Sequence, residues 1–260
     1  MRFLLFLTLM IVISSCSTLK TKNKFAKNPV IAHRGAWKAK NLPQNSIASL
    51  KEAIALHCRG SEFDVRMTID DSLVINHDPE YHKLPIEKST YNELQQFKLS
   101  NGEQLPTLRQ YITAGMQDNE LTQLVCEIKP SDVSKSRGIT VAKKVLDLVH
   151  ELKAENKICY ISFDYDILKE IHKLNQKAIT QYLEANKSPI VLKKDGISGA
   201  DYYFTAFKDH PEWVKSAKKS HITLNAWTVN NAADMDWLLE NDFDFITTNE
   251  PELLLKKLSK

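Results

Sequence analysis

From Pro29 onward, short apolar runs alternate with stretches in which apolar residues recur three and four positions apart. Residues 30–32 (Val-Ile-Ala) predict a first strand. Residues 46–57 predict a helix with Ile47, Leu50, Ala53, Ile54 and Leu56 on its apolar side and Asn45 as N-cap. A second strand is expected at 62–65, with 73–76 paired to it after a turn at Asp70-Asp71. The stretch 79–106 breaks the rhythm. It carries prolines at 79, 85 and 106, an Asn101-Gly102 turn and one modest helical pattern at 90–97, and reads as an inserted lid or binding loop. Alternation then resumes, with helices expected at 108–116, 139–153, 165–174, 189–194, 211–219, 232–240 and 251–258. Strands are expected at 124–128, 158–162, 178–183, 202–204, 223–227 and 243–246.

Counting the early hairpin as one unit gives eight strand-helix repeats in roughly 230 residues, and alternation of this kind builds a parallel sheet with helical crossovers. A (β/α)8 TIM barrel, which takes about 250 residues, fits best, with an inserted loop region after the second strand unit. An open doubly wound sheet fits less well, because His33-Arg34-Gly35 after the first strand is not a glycine-rich phosphate loop. No stretch rich in Pro, Gly or Ser divides residues 29–260, so a single domain is expected there.

The N-terminus follows different rules. Arg2, an apolar run from Phe3 to Ile13, and Ser14-Ser15-Cys16 have the layout of a secretory signal over residues 1–15. Ile13-Ser14-Ser15-Cys16 also resembles the lipobox of bacterial lipoproteins, which implies lipidation of Cys16 and a protein anchored in the bacterial cell envelope, on the periplasmic side. Residues 17–28, rich in lysine, read as a flexible tether. Of the four cysteines, Cys126 and Cys159 sit in apolar strand-like runs and Cys58 near a helix end, with no spacing suited to zinc. The net charge of +3, with lysines dispersed, gives no reason to expect a nucleic-acid partner.

The chemistry gathers between His33 and Asp78. In Ser-Glu-Phe-Asp-Val, Glu62 and Asp64 lie two apart, so on a strand both carboxylates share one face while Phe63 and Val65 take the other. Two anions on one face need a cation. Glu127-Ile128-Lys129 repeats the spacing, and three inward carboxylates, Glu62, Asp64 and Glu127, suit a hard divalent ion such as Ca²⁺ or Mg²⁺. Arg34 and Lys129 would add positive charge around an anionic substrate, with arginine able to grip two phosphate oxygens. His33 and His77 remain as an acid-base pair near neutral pH. Tyr182, Trp227 and Asn230 are downstream candidates, each with an ordinary structural reading beside the functional one. The other histidines lack partners in the pattern, His82 standing apart only because it lies in the insertion.

The succession HRG (33–35), PQN (43–45), EFD (62–64), HD (77–78), EIK (127–129), AWTVN (226–230) and FITTNEP (245–251) resembles the glycerophosphodiester phosphodiesterase family over nearly all of the chain after residue 29. The resemblance implies a metal-dependent TIM barrel that hydrolyses glycerophosphodiesters to glycerol 3-phosphate and an alcohol. It matches Glu62, Asp64 and Glu127 to the metal ligands, His33 and His77 to the catalytic histidines, and Arg34 and Lys129 to groups near the phosphate; Trp227 is expected beside the substrate. The implied mechanism is attack by the glycerol 2-hydroxyl on phosphorus, giving a cyclic phosphate that water opens. One departure is Gln44, where the family usually carries Glu. Two further readings stand beside this one: a non-catalytic lipoprotein that binds a phosphorylated ligand, and a lysophospholipase D-type activity at the same site.

Overall fold

The computed structural model describes residues 25–259. Eight parallel strands close into a barrel: β1 (Val30–Ala32), β2 (Gly60–Met67), β6 (Gln123–Ile128), β7 (Ile158–Ser162), β8 (Ile179–Tyr182), β9 (Gly199–Tyr203), β10 (Thr223–Trp227) and β11 (Phe245–Thr248). Closure comes from β1, which pairs with both β11 and β2. Between β2 and β6 lie β3 (Leu73–Ile75), antiparallel to β2, and the small ribbon of β4 (Glu80–Tyr81) and β5 (Leu84–Pro85). The (β/α)8 barrel expected from the alternation is the fold observed.

Helices α1 (Ile47–Ala55), α2 (Tyr91–Leu94), α3 (Leu108–Met116), α4 (Lys135–Glu151), α5 (Tyr165–Leu174), α6 (Pro189–Lys194), α7 (Phe204–Asp209), α8 (Pro211–Ser220), α9 (Ala232–Glu240) and α10 (Pro251–Leu258) complete the chain. Those packed on the barrel bury one stripe each. In α5 that stripe is Ile167, Leu168 and Ile171, at the spacing that keeps side chains on one helical face. Outer-facing strand residues such as Phe63, Val65 and Cys126 meet Tyr111, Ile112 and Val145 in one layer. Cys58, Cys126 and Cys159 are free and buried. Among the described residues, no helix is long and apolar enough to cross a membrane.

The start of α1 corrects one expectation. Ser46, not Asn45, is the N-cap: its hydroxyl accepts the Ser49 N–H at 3.0 Å, and Ser49 Oγ accepts the Ser46 N–H at 3.2 Å. Asn45 is left free to turn inward. Gly35 explains its place in the HRG motif, because at φ +82° an added Cβ would sit 2.4 Å from Ser49 Oγ.

The insertion 79–106 has its own small core of Tyr81, Ile86, Leu94 and Leu105 with Val74. Glu103 accepts the Ile47 and Ala48 N–H groups at the start of α1, and Glu87 accepts from Ser131, Asp132 and Arg137. His82 stacks on Phe97 within this unit. Strand β9 begins three residues earlier than expected and β11 two residues later, and α7 was not anticipated.

At the N-terminal end of the strands the barrel is stoppered. Arg59, just before β2, donates to Gln123 Oε1 at 3.0 Å and lies over the rings of Phe245 and Phe25. Ala26 donates to the Leu121 carbonyl at 2.8 Å, fastening residues 25–28 to this closed end.

Candidate active site

At the opposite end, where the strands terminate, lies a cavity of about 110 Å³ lined by His33, Arg34, Glu62, His77, Glu127, Lys129, Ile161, Phe163, Leu183, Asp201, Trp227, Thr228 and Thr247. This is the face on which barrel loops assemble sites. No residue of 79–106 lines it.

Strand register builds the acidic part. Asp64 on β2 stands directly across from Glu127 on β6, and Glu62 shares their face two residues earlier. One oxygen from each of the three lies within 4.8 Å of the others, and all three side chains are buried. Lys129, just past β6, places Nζ 2.8 Å from Asp64 Oδ1 and 2.7 Å from Glu127 Oε1. Burial works against its ammonium, but Asp64 and Glu127 outweigh that and raise its pKa.

One ammonium does not balance three carboxylates. Burial, then Asp64 and Glu127, push Glu62 well above the ordinary carboxylate range, and burial with Asp64 pushes Glu127 up to about 7. For Asp64 burial acts in the same direction, yet Lys129, His77 and the Asn45 amide hold it low. Glu62 Oε1 has no hydrogen-bond partner, while Oε2 accepts the Arg34 backbone N–H at 2.8 Å. An orphaned buried oxygen beside two more carboxylates is a donor set for a hard divalent cation, and the residues present fit one.

The histidines approach from two sides. His33 follows β1, and its Nδ1 lies 2.8 Å from Asn249 Oδ1, so the proton sits on Nδ1 and Nε2 keeps its lone pair, 3.9 Å from Glu62 Oε2. Burial, then Arg34, lower its pKa to about 4. His77 follows β3, with its carbonyl held by Arg66 Nε and NH2 at 3.0 and 2.8 Å and its Nδ1 2.7 Å from Asp78 Oδ1. It is part exposed, and burial lowers its pKa. The Arg34 guanidinium reaches Gln44 Oε1 at 2.8 Å, so this amide holds the arginine by its oxygen.

Residues 33–253 match the glycerophosphoryl diester phosphodiesterase family. The chain belongs to that family. A glycerophosphodiester phosphodiesterase of known structure from Parabacteroides distasonis is 39% identical, with a TM-score of 0.86 over 90% of this chain and 98% of its own. A glycerophosphodiester phosphodiesterase from Caldanaerobacter subterraneus subsp. tengcongensis is 29% identical over 250 residues, 90% of this chain and 99% of that protein. The fold is also shared with a phosphodiesterase from Oleispira antarctica solved with the product sn-glycerol-3-phosphate, at 22% identity and a TM-score of 0.75, over 89% of this chain and 96% of that one.

Within this glycerophosphoryl diester phosphodiesterase fold, His33, Arg34, Glu62, Asp64, His77, Glu127, Lys129 and Trp227 all converge on one end of the barrel. Two other candidates do not line the cavity. Tyr182 packs outside the barrel against Tyr165 and Tyr202, and Asn230 accepts the Asn249 N–H at 2.9 Å. Four residues with structural parts in the site were not expected there: Asn45, Arg66, Asn249 and Asp201. Asn45 and Asn249 sit inside motifs that were recognised; Asp201 had no such signal. Cys16 lies outside the described residues, as do the expected signal segment and most of the tether.

Proposed function

We propose that the protein hydrolyses glycerophosphodiesters to glycerol 3-phosphate and an alcohol. The observation that carries this reading is the meeting, at one barrel mouth, of two histidines, Arg34 and a buried carboxylate triad with an unpartnered oxygen. The Oleispira protein binds sn-glycerol-3-phosphate, which supports the same product here.

In this reading Glu62, Asp64 and Glu127 hold a divalent cation, Ca²⁺ or Mg²⁺, which when bound polarises the phosphoryl group and offsets its charge. Arg34 grips a phosphate oxygen while Gln44 steadies its other side. His33, neutral at pH 7 with Nε2 free, accepts the proton of the glycerol 2-hydroxyl as that oxygen attacks phosphorus. His77 gives a proton to the departing alcohol oxygen, with Asp78 supporting its charged form. In the second step His77 takes a proton from water, the water oxygen bonds to phosphorus, and His33 returns its proton to the 2-oxygen as the ring opens. Trp227, anchored by Nε1 to the Asp201 carbonyl at 2.8 Å, forms part of the wall against the substrate. The same proposal places the protein in the cell envelope through a lipid on Cys16.

The test is release of glycerol 3-phosphate from glycerophosphocholine or glycerophosphoethanolamine with Ca²⁺ or Mg²⁺, abolished by EDTA and by His33→Ala or His77→Ala. Folded, metal-loaded protein that turns over neither diester would overturn it. Retained binding of glycerol 3-phosphate in that case would assign the barrel to ligand capture.

A further inference from the structure

The cavity has two unlike walls. Strands β1, β2 and β6 supply every charged group placed in the proposed chemistry except His77 and Asp78, which follow β3. The wall from β7, β8 and β9 is apolar, with Ile161, Phe163 and Leu183, apart from Asp201. Asp201 is 1% exposed, lines the cavity, and its Oδ1 has no hydrogen-bond partner. Leaving a carboxyl oxygen unpaired in an apolar wall costs about 1–3 kcal/mol, and such a group persists where a ligand completes it.

We propose that Asp201 is the specificity-determining residue for the glycerol end of the substrate, its unpartnered oxygen hydrogen-bonding the terminal hydroxyl. This rests on the glycerophosphodiester reading. With the 2-hydroxyl at phosphorus, the third carbon and its hydroxyl are the only part of the glycerol unit still without a partner. The leaving alcohol varies among such diesters and needs the open side of the mouth, which turns the glycerol terminus toward the inner wall. Three carbons suit Ile161 and Leu183, and one hydroxyl suits a single carboxyl. Burial, then Glu127, push Asp201 well above the usual carboxylate range, while Asn225, directly across on β10, opposes that shift.

The experiment compares kcat/KM for glycerophosphoethanolamine and for the matching 2-hydroxypropyl diester, which keeps the attacking hydroxyl and lacks the terminal one. Wild type is expected to favour the glycerol diester by about 100-fold, Asp201→Leu by no more than about 3-fold, and Asp201→Asn, whose amide can also hydrogen-bond a hydroxyl, by nearly the wild-type ratio. An unchanged ratio in Asp201→Leu, or no preference in wild type, overturns the assignment. Should the leucine variant not fold, Asp201→Ala is assayed by calorimetric binding of glycerol 3-phosphate and 2-hydroxypropyl phosphate: loss of the wild-type preference supports the assignment, and its retention overturns it. If wild type hydrolyses neither diester the enzymatic reading falls, and the same binding comparison still decides the role of Asp201.

Discussion

Asn45 grips Asp64 at both ends, donating from Nδ2 to Asp64 Oδ2 at 2.8 Å and accepting the Asp64 backbone N–H on Oδ1 at 3.2 Å. Asn45 does this from a left-handed backbone, φ +59°, a conformation that asparagine tolerates better than most residues. The last residue of the PQN motif is therefore a support for the central carboxylate rather than a helix cap.

Replacing it separates two contributions. Asn45→Gly keeps the backbone and loses only the hydrogen bonds, at a cost of about 2 kcal/mol. Asn45→Ala adds left-handed strain of about 1 kcal/mol more. Urea melts of the two variants measure both, and an alanine variant as stable as wild type would remove Asn45 from this role.

Glu62 is crowded by burial and by two neighbouring anions, so the metal-free protein gains from its neutralisation. Glu62→Gln, which can still accept the Arg34 N–H, is expected to raise stability at pH 8 by about 1–2 kcal/mol, or roughly 2–6 °C in melting temperature. The sign follows from linkage. The folded pKa lies above the unfolded one, so the anion's penalty is absent below the ordinary carboxylate range and grows as pH rises. The gain should vanish near pH 4, and at pH 8 the variant should no longer be stabilised by added Ca²⁺ or Mg²⁺. Destabilisation at pH 8 would contradict the assignment.

Proton and cation compete for Glu127. Its pKa of about 7 means that at pH 6 a divalent ion must displace a proton, whereas above pH 8 it need not. Apparent affinity should therefore rise with pH between 6 and 8, by about tenfold per pH unit below 7 from the Glu127 proton and more steeply wherever Glu62 is protonated as well. Calorimetric titration in buffers of different ionisation enthalpy would show proton release on metal binding at pH 6. Affinity independent of pH from 6 to 8 would exclude Glu127 as a ligand.

Much of the barrel is written in short apolar runs. β1, β7 and β10 stand where those runs stand, because their outer faces meet helices and their inner faces carry Ile31, Cys159, Ile161 and Trp227. β9 was legible only at its aromatic end: Gly199 and Asp201 take the inward positions, and neither looks like core. Gly199 is small because the Gln181 side chain fills the space where its Cβ would lie. β11 was read early because Phe243 belongs to the packing with Phe207, while the inward Thr247 resembles loop. The start of α4 was missed because Lys135, Ser136 and Arg137 lead with a solvated turn capped by Ser134. The charged half of the site was legible because carboxylates two apart on a strand are conspicuous. Its supports were not, since an amide or a lone aspartate acquires meaning only from what register brings beside it.

The stopper at the closed end sets how the molecule can be held. With Phe25 under Arg59 and Ala26 bonded to Leu121, anything attached upstream pulls on the end of the barrel farthest from His33 and His77. A lipid on Cys16, nine residues before Phe25, would act as a short mooring line there. The mouth would then open toward water rather than toward the bilayer surface, an orientation that favours small dissolved diesters over lysolipids still seated in the membrane.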